Sequence, residues 1–238
     1  MDPINDVKFI TKLRSIISGM LFILCIGSYY SYGNINDVIY NYLKNNGNPQ
    51  IKPQDCLIVQ PIWLITQSIS TALGMVLAGK IGFRAVNCIG FMSFALLNLI
   101  LSYTTNYYAL IYTYGVFGGV TCGLGYLMGI YIAWTYFPDK KGLVTGMILF
   151  SAGISASILS PMTTYIVNPN NNLKPSDEEM YSRVPRMFRI LSLYFGTLVL
   201  LAAIIQPAPL ESLELKSKIN LNNRKNASDT ADTYQSMA

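Results

Sequence analysis

The chain has 238 residues, with 17 Lys or Arg against 12 Asp or Glu, so only 12% are charged, 52% are apolar and the net charge is +5. Soluble domains carry about 25% charged residues, and the positive mean hydropathy of +0.36 agrees that there is too little charge here to cover a water-facing surface. An ordinary soluble domain is excluded, and because each membrane span needs about 20 residues, the length admits roughly six.

A Lys, Arg or Asp at the centre of a membrane helix costs about 2.5 to 3.5 kcal/mol, so charge-free windows locate the spans. They cover residues 15–36, 56–79, 85–138, 142–173 and 190–210. The third is long enough for two helices, and the polar run Ser102 to Asn106 divides it. The expectation is an all-α membrane protein with six transmembrane helices over about 15–36, 56–79, 85–101, 107–136, 142–166 and 190–207, preceded by an N-terminal segment 1–14 and followed by a flexible tail 211–238. Alternating the loops puts Lys8, Lys12, Arg14, Lys80, Arg84, Lys140, Lys141, Lys216, Lys218, Arg224 and Lys225 on one side. Lys44, Lys52, Lys174, Arg183, Arg186 and Arg189 fall on the other. Basic residues beside spans are retained in the cytoplasm, so both termini are expected there. The first apolar stretch is long and lacks a small-residue cleavage site, so it reads as a retained span. The protein is expected to be integral and multi-pass, in the plasma membrane or an organelle membrane, with the lipid bilayer as its first partner.

In the first span Cys25, Tyr29, Tyr32 and Asn36 form one stripe at helical spacing. The stripe suits either a cavity lining or an aromatic belt at the interface. In the second span Gln60, Trp63, Gln67, Thr71 and Gly74 share a face. Two Gln avoid lipid, so this face meets helices or a ligand. The fourth span is rich in glycine, with Gly115, Gly119 and Gly123 at four-residue spacing and Gly125 and Gly129 beyond. Such spacing lets helix backbones approach closely. Gly142, Gly146, Gly153, Ser157, Ser160 and Thr164 continue the pattern in the fifth span, which should pack tightly on a neighbour and kink near Pro161. Pro138-Asp139 breaks the chain between these two spans, with Asp139 placed to cap the fifth and Lys140 and Lys141 at the interface. Ser176 to Glu179 has capping-box spacing, and Glu179 precedes Arg183 by four residues, so a short surface helix is expected before the sixth span. Arg186 and Arg189 stand one turn apart at that span's outer end.

No enzyme chemistry is legible. There is no His, and the four cysteines Cys25, Cys56, Cys88 and Cys122 are too scattered for a zinc site or a disulfide framework. The membrane windows hold no paired carboxylates, no cofactor motif is present, and no basic patch interleaved with aromatics suggests nucleic acid.

The run Gly123-Leu-Gly-Tyr126, followed by Tyr136-Phe-Pro-Asp-Lys-Lys-Gly-Leu-Val-Thr-Gly146 and then Ala152-Gly153, resembles the major facilitator superfamily, in particular its monocarboxylate transporter and oxalate/formate antiporter branches. Val184-Pro-Arg-Met-Phe-Arg-Ile-Leu191 looks like the same family, and Gly79-Lys-Ile-Gly-Phe-Arg84 is a reduced form of its loop signature, with Gly79 where the family has an acid. The resemblance runs from Arg14 to about Gln206 and covers the N-terminal six-helix half only. It implies a small organic anion as substrate and alternating access, achieved with a second six-helix half or in a homodimer. Among the residues present, Tyr29, Tyr32, Gln60, Gln67 and Tyr126 are expected to line the cavity. Gly79, Lys80, Gly82, Arg84, Gly115, Gly119, Gly123, Asp139, Lys140, Lys141, Gly146 and Gly153 would serve helix packing and gating. The alternatives are a non-transporting structural subunit or assembly factor, or a fragment of a twelve-helix transporter.

Overall fold

The computed structural model describes residues 9–210; residues 1–8 and the tail over 211–238 lie outside them. Every regular element among the described residues is helical. Six helical segments are long and apolar enough to span a bilayer: Phe9–Asn45, Pro53–Ile81, Phe83–Leu101, Tyr107–Tyr136, Pro138–Val167 and Glu178–Ile205. The fourth is the most enclosed, and the others pack round it or round one another: second on fourth, third on sixth, first on fifth, fourth and sixth.

The first span is longer than its charge-free window. It runs as a helix over Phe9–Leu24, turns at Cys25 and Ile26, and continues as Gly27–Asn45, carrying Asp37 and Lys44 beyond the apolar stretch. The turn frees the Leu24 carbonyl, which accepts a hydrogen bond from the Ser155 hydroxyl of the fifth span. Gly27 sits directly against the same serine, where a Cβ would collide. One turn earlier the Ser151 hydroxyl lies 3.0 Å from the Met20 carbonyl. Small hydroxyl residues on one helix thus satisfy carbonyls on its neighbour, where no water is present to do so.

The glycines of the fourth span pack as their spacing requires. A Cβ at Gly119 would meet the Trp63 carbonyl, and one at Gly123 would meet the Gln67 carbonyl and stand 2.8 Å from Ser70 Cβ. Gly129 abuts Gly19 of the first span, 3.1 Å separating that glycine's Cα from a Cβ built at Gly129. The span is not a uniform α-helix, however. Its residues Ile111–Gly118 form a π-helix, which widens the turn beside the second span. There the Thr66 hydroxyl lies 3.2 Å from the Gly115 carbonyl, a cross-helix bond of the kind that stabilises such local departures.

The fifth span corrects two expectations, the packing of its glycines and the cap at its start. Its helix is Lys141–Val167 and includes Pro161. Its buried face is Val144, Ile148, Ser151, Ser155, Leu159 and Thr163, whereas Gly142, Gly146 and Gly153 have no neighbour within 4 Å of a built Cβ. The glycine stripe therefore faces away from the other five spans. Asp139 also departs from its expected role: Pro138–Lys140 is a 3-10 turn, and Lys140 occupies the N-cap position of the fifth helix, with no side-chain cap. The hairpin is secured instead by the Trp134 indole, which donates to the Thr145 hydroxyl at 2.8 Å.

The two ends of the bundle are tied differently. At one end Arg14 and Arg84 donate to the last carbonyls of the sixth span, at 3.0 Å to Ile205 and 2.9 Å to Ala203. These are the carbonyls that a helix C-terminus leaves unpaired. The Tyr136 hydroxyl holds the Ala208 carbonyl at 2.5 Å, fastening the chain that leaves the sixth span. At the other end Asn106 caps the fourth span by accepting from the Tyr108 amide at 2.8 Å, and Asn48 donates to the Thr105 carbonyl at 2.7 Å. The short helix before the sixth span is Glu178–Tyr181, with Asp177 rather than Ser176 at its N-cap position, and Glu179 pairs with Arg183 at 2.6 Å.

Candidate functional site

A groove of about 450 Å³ opens on one side of the bundle, between the first, second, fourth and fifth spans. Its size falls in the range of about 300 to 1,000 Å³ found for ligand pockets. Ile26, Tyr29 and Tyr30 come from the first span, Trp63, Leu64, Gln67, Ser68 and Thr71 from the second, Tyr126 from the fourth, and Leu149 and Ala152 from the fifth. The turn at Cys25 and Ile26 precedes the first-span tyrosines, and the π-helical stretch Ile111–Gly118 precedes Tyr126.

Tyr29 stacks on Trp63, with ring centroids 4.8 Å apart and planes 21° from parallel, and forms one wall. The Tyr29 carbonyl accepts from the Gln60 side chain at 3.1 Å, which fixes the first span against the second. Gln67 is 9% exposed, and its side-chain amide makes no hydrogen bond to another described residue. The hydroxyls of Tyr29, Tyr30 and Tyr126 are likewise uncommitted among the described residues. Ser68 and Thr71 differ, since each donates to the carbonyl four residues earlier, at 2.8 Å in both cases. Three phenols and one amide therefore stand free around a half-apolar groove. No Lys, Arg, Asp or Glu lines it, and among the described residues no cluster of His, Cys, Asp or Glu is placed to hold a metal.

Neutral O–H and N–H donors suit a small anion. A hydrogen bond to a carboxylate is shorter and about twice as strong as a neutral one, and phenols and amides give it without the insertion cost of a buried cation. The aromatic wall supplies apolar contact for the rest of a small organic acid.

Of the residues expected to line a cavity, Tyr29, Gln67 and Tyr126 meet at this groove. Tyr32 lies on the inner side of the first span, 1% exposed, stacked on Tyr114 with its hydroxyl 3.1 Å from the Cys56 carbonyl. Gln60 is occupied by its bond to Tyr29 at the groove's edge. Tyr30 and Trp63 line the groove but were not selected from the sequence. Trp63 already stood on the Gln60 to Gly74 stripe, so spacing had placed it. Tyr30 carries no such signal, because a continuous helix puts it about 100° from Tyr29.

The remaining expected positions surround rather than line the groove. Gly82 has φ of +93°, the left-handed region that favours glycine, and turns the second span into the third, whose Arg84 reaches the sixth. Gly79 has open space round it and Lys80 is exposed. Asp139 and Lys140 are exposed on the hairpin, and Lys141 sits 6.0 Å above the Trp134 ring. Gly115, Gly119 and Gly123 lie in the contact of the fourth span with the second, while Gly146 and Gly153 lie on the open face of the fifth.

Comparison with known proteins gives no matching family model. The chain is similar to apicoplast pyruvate carrier 1 of Toxoplasma gondii, 23% identical over 85% of this chain and 46% of that protein. Apicoplast pyruvate carrier 2 of the same organism is 24% identical over 71% of this chain and 26% of that protein. Monocarboxylate transporter 9 of Pongo abelii is 32% identical over a shorter stretch, 29% of this chain and 14% of that protein. The chain thus spans less than half the length of each of these curated relatives. The pyruvate carriers are transport proteins and not enzymes. With six apolar spans and carriers as relatives, the chain is an integral, multi-pass membrane protein.

Proposed function

We propose that this chain forms one six-helix unit of a facilitator-type carrier for small carboxylate anions, with pyruvate the substrate to test first. The observation that carries the reading is the groove, where Gln67, Tyr29, Tyr30 and Tyr126 present uncommitted neutral donors beside an aromatic wall. Similarity to two pyruvate carriers points to the same substrate class. The groove is open on one side, and the adjacent face of the fifth span presents Gly146 and Gly153 with nothing against them. A second six-helix unit, continuing the polypeptide or supplied by another copy, closes the groove on that side. Rocking of the two units then exposes the substrate to each side in turn. Both ends of the unit belong on the cytoplasmic side, together with the Gly79 to Arg84 turn and the Asp139 to Lys141 hairpin, which form the gating surface. The second unit also supplies the charge that balances the anion, since this groove has none.

Exchange of labelled pyruvate in proteoliposomes tests this. Gln67→Leu removes one charge-assisted hydrogen bond, worth about 1.5 to 3 kcal/mol, and should lower exchange roughly ten- to hundredfold with folded protein retained. Unchanged kinetics would remove Gln67 from the site. The uncharged groove also favours a second reading, a non-transporting subunit of a membrane complex, because intramembrane ionisable groups usually mark a transport path. Absence of exchange with every partner present would favour that reading.

A further inference from the structure

A second cavity, of about 330 Å³, lies far from the groove, where the end of the fifth span meets the start of the sixth. Tyr165, Ile166, Pro169, Arg183, Arg186 and Ile190 line it. We infer that it is a binding site for the phosphate headgroup of an anionic phospholipid, a conclusion that does not depend on the carrier reading. Arg183 is fixed in place, donating to the Val167 carbonyl at 3.0 Å and to the Glu179 carboxylate at 2.6 Å. Glu179 is paired with Arg183, and no carboxylate lines the cavity. Arg186 has neither a hydrogen bond nor an ion pair among the described residues, so its whole guanidinium fork is free. Arg189 follows one turn later, exposed, and adds to the positive potential. A guanidinium binds phosphate oxygens bidentately, and the exposed Arg186 and Arg189 give the rim of this cavity the positive charge that an anionic headgroup pairs with.

The surface below the cavity selects a lipid over a free anion. Ile190, Leu193, Leu200 and Ile204 follow Arg186 at helical spacing on one stripe of the sixth span. Leu193 is 71% exposed and Ile204 is 73% exposed. Tyr165, 68% exposed, borders the cavity from the fifth span. A headgroup seated on Arg186 therefore places its acyl chains along an apolar stripe that runs down the same helix, which inorganic phosphate has no use for.

The test is retention of labelled phosphatidylglycerol by the purified full chain in mild detergent, read by native mass spectrometry with phosphatidylcholine as the neutral comparison. The wild type should retain phosphatidylglycerol in preference to phosphatidylcholine. Arg186→Gln should weaken that retention about fivefold, the contribution of one arginine near an anionic surface, without altering phosphatidylcholine. Lys12→Gln, at the opposite end of the bundle, should leave it unchanged. Equal retention of the two lipids by the wild type overturns the assignment even if Arg186→Gln fails to fold. So does unaltered phosphatidylglycerol retention in folded Arg186→Gln, or an equal loss in Lys12→Gln. Displacement of the lipid by inorganic phosphate alone overturns the lipid in favour of a free-anion site.

Discussion

Gly123 and Gly146 stand at related points of the glycine pattern, and the structure assigns them opposite energetics. A Cβ at Gly123 would meet the Gln67 carbonyl, stand 3.0 Å from Gln67 Cα and 2.8 Å from Ser70 Cβ. Carbon atoms pack best at about 3.5 to 4.0 Å, so the second and fourth spans must separate by several tenths of an ångström or more. The obstacles are backbone and Cβ atoms, which cannot swing aside as a side-chain end does. Gly123→Ala should therefore cost about 1 to 3 kcal/mol, the usual penalty of overpacking. At Gly146 a Cβ has nothing within 4 Å, and alanine in a helix interior is favoured over glycine by about 0.5 to 1 kcal/mol. Gly146→Ala should leave the unit as stable or slightly more so. Equilibrium unfolding in mixed detergent micelles measures both. Equal destabilisation by the two substitutions would refute the packing argument. If the fifth-span face meets a second unit, Gly146→Ala will also reduce pyruvate exchange while the unit itself stays folded.

Two further substitutions separate structural from functional roles. Tyr32→Phe removes the buried bond to the Cys56 carbonyl and should cost about 1 kcal/mol of stability with exchange kinetics unchanged; a raised KM would place Tyr32 at the substrate. Asn106→Ala removes the cap that accepts from the Tyr108 and Ala109 amides, and unfolding should show a loss of about 1 kcal/mol with no change in exchange.

The six spans were legible because insertion energetics forbid charge at a helix centre, and a window without charge is a direct trace of that cost. The window gives the hydrocarbon segment and not the helix: Asp37 and Lys44 continue the first span as far as Asn45 because their positions clear the apolar core. The π-helical turn at Ile111–Gly118 and the turn at Cys25 had no local signal. Each is matched to a hydroxyl on another span, Thr66 for the Gly115 carbonyl and Ser155 for the Leu24 carbonyl. Those partners are remote in sequence, so periodicity within one helix is blind to them. Tyr29, Tyr30 and Tyr32 all follow the turn at Cys25 on the continuous helix Gly27–Asn45, where Tyr30 joins Tyr29 at the groove while Tyr32 goes inward to Tyr114. Small-residue spacing correctly marked close approach in the fourth span, where Trp63 and Gln67 supply the partner backbone. The fifth-span glycines have similar spacing, yet among the described residues nothing packs against Gly142, Gly146 or Gly153.

The central claim is that the groove holds the carboxylate. Ala152 lines it from the fifth span, and of the native cysteines Cys25, Cys56 and Cys122 are buried while Cys88 is partly exposed. With Cys88→Ser as background, the rate at which a membrane-permeant maleimide labels Ala152→Cys in proteoliposomes reports occupancy of the groove directly. Leu193→Cys, on the lipid-facing stripe of the sixth span, is the control. Pyruvate should slow labelling at position 152 and leave position 193 unaffected. Labelling of Ala152→Cys at the same rate with and without saturating pyruvate, in protein that exchanges it, would contradict the account.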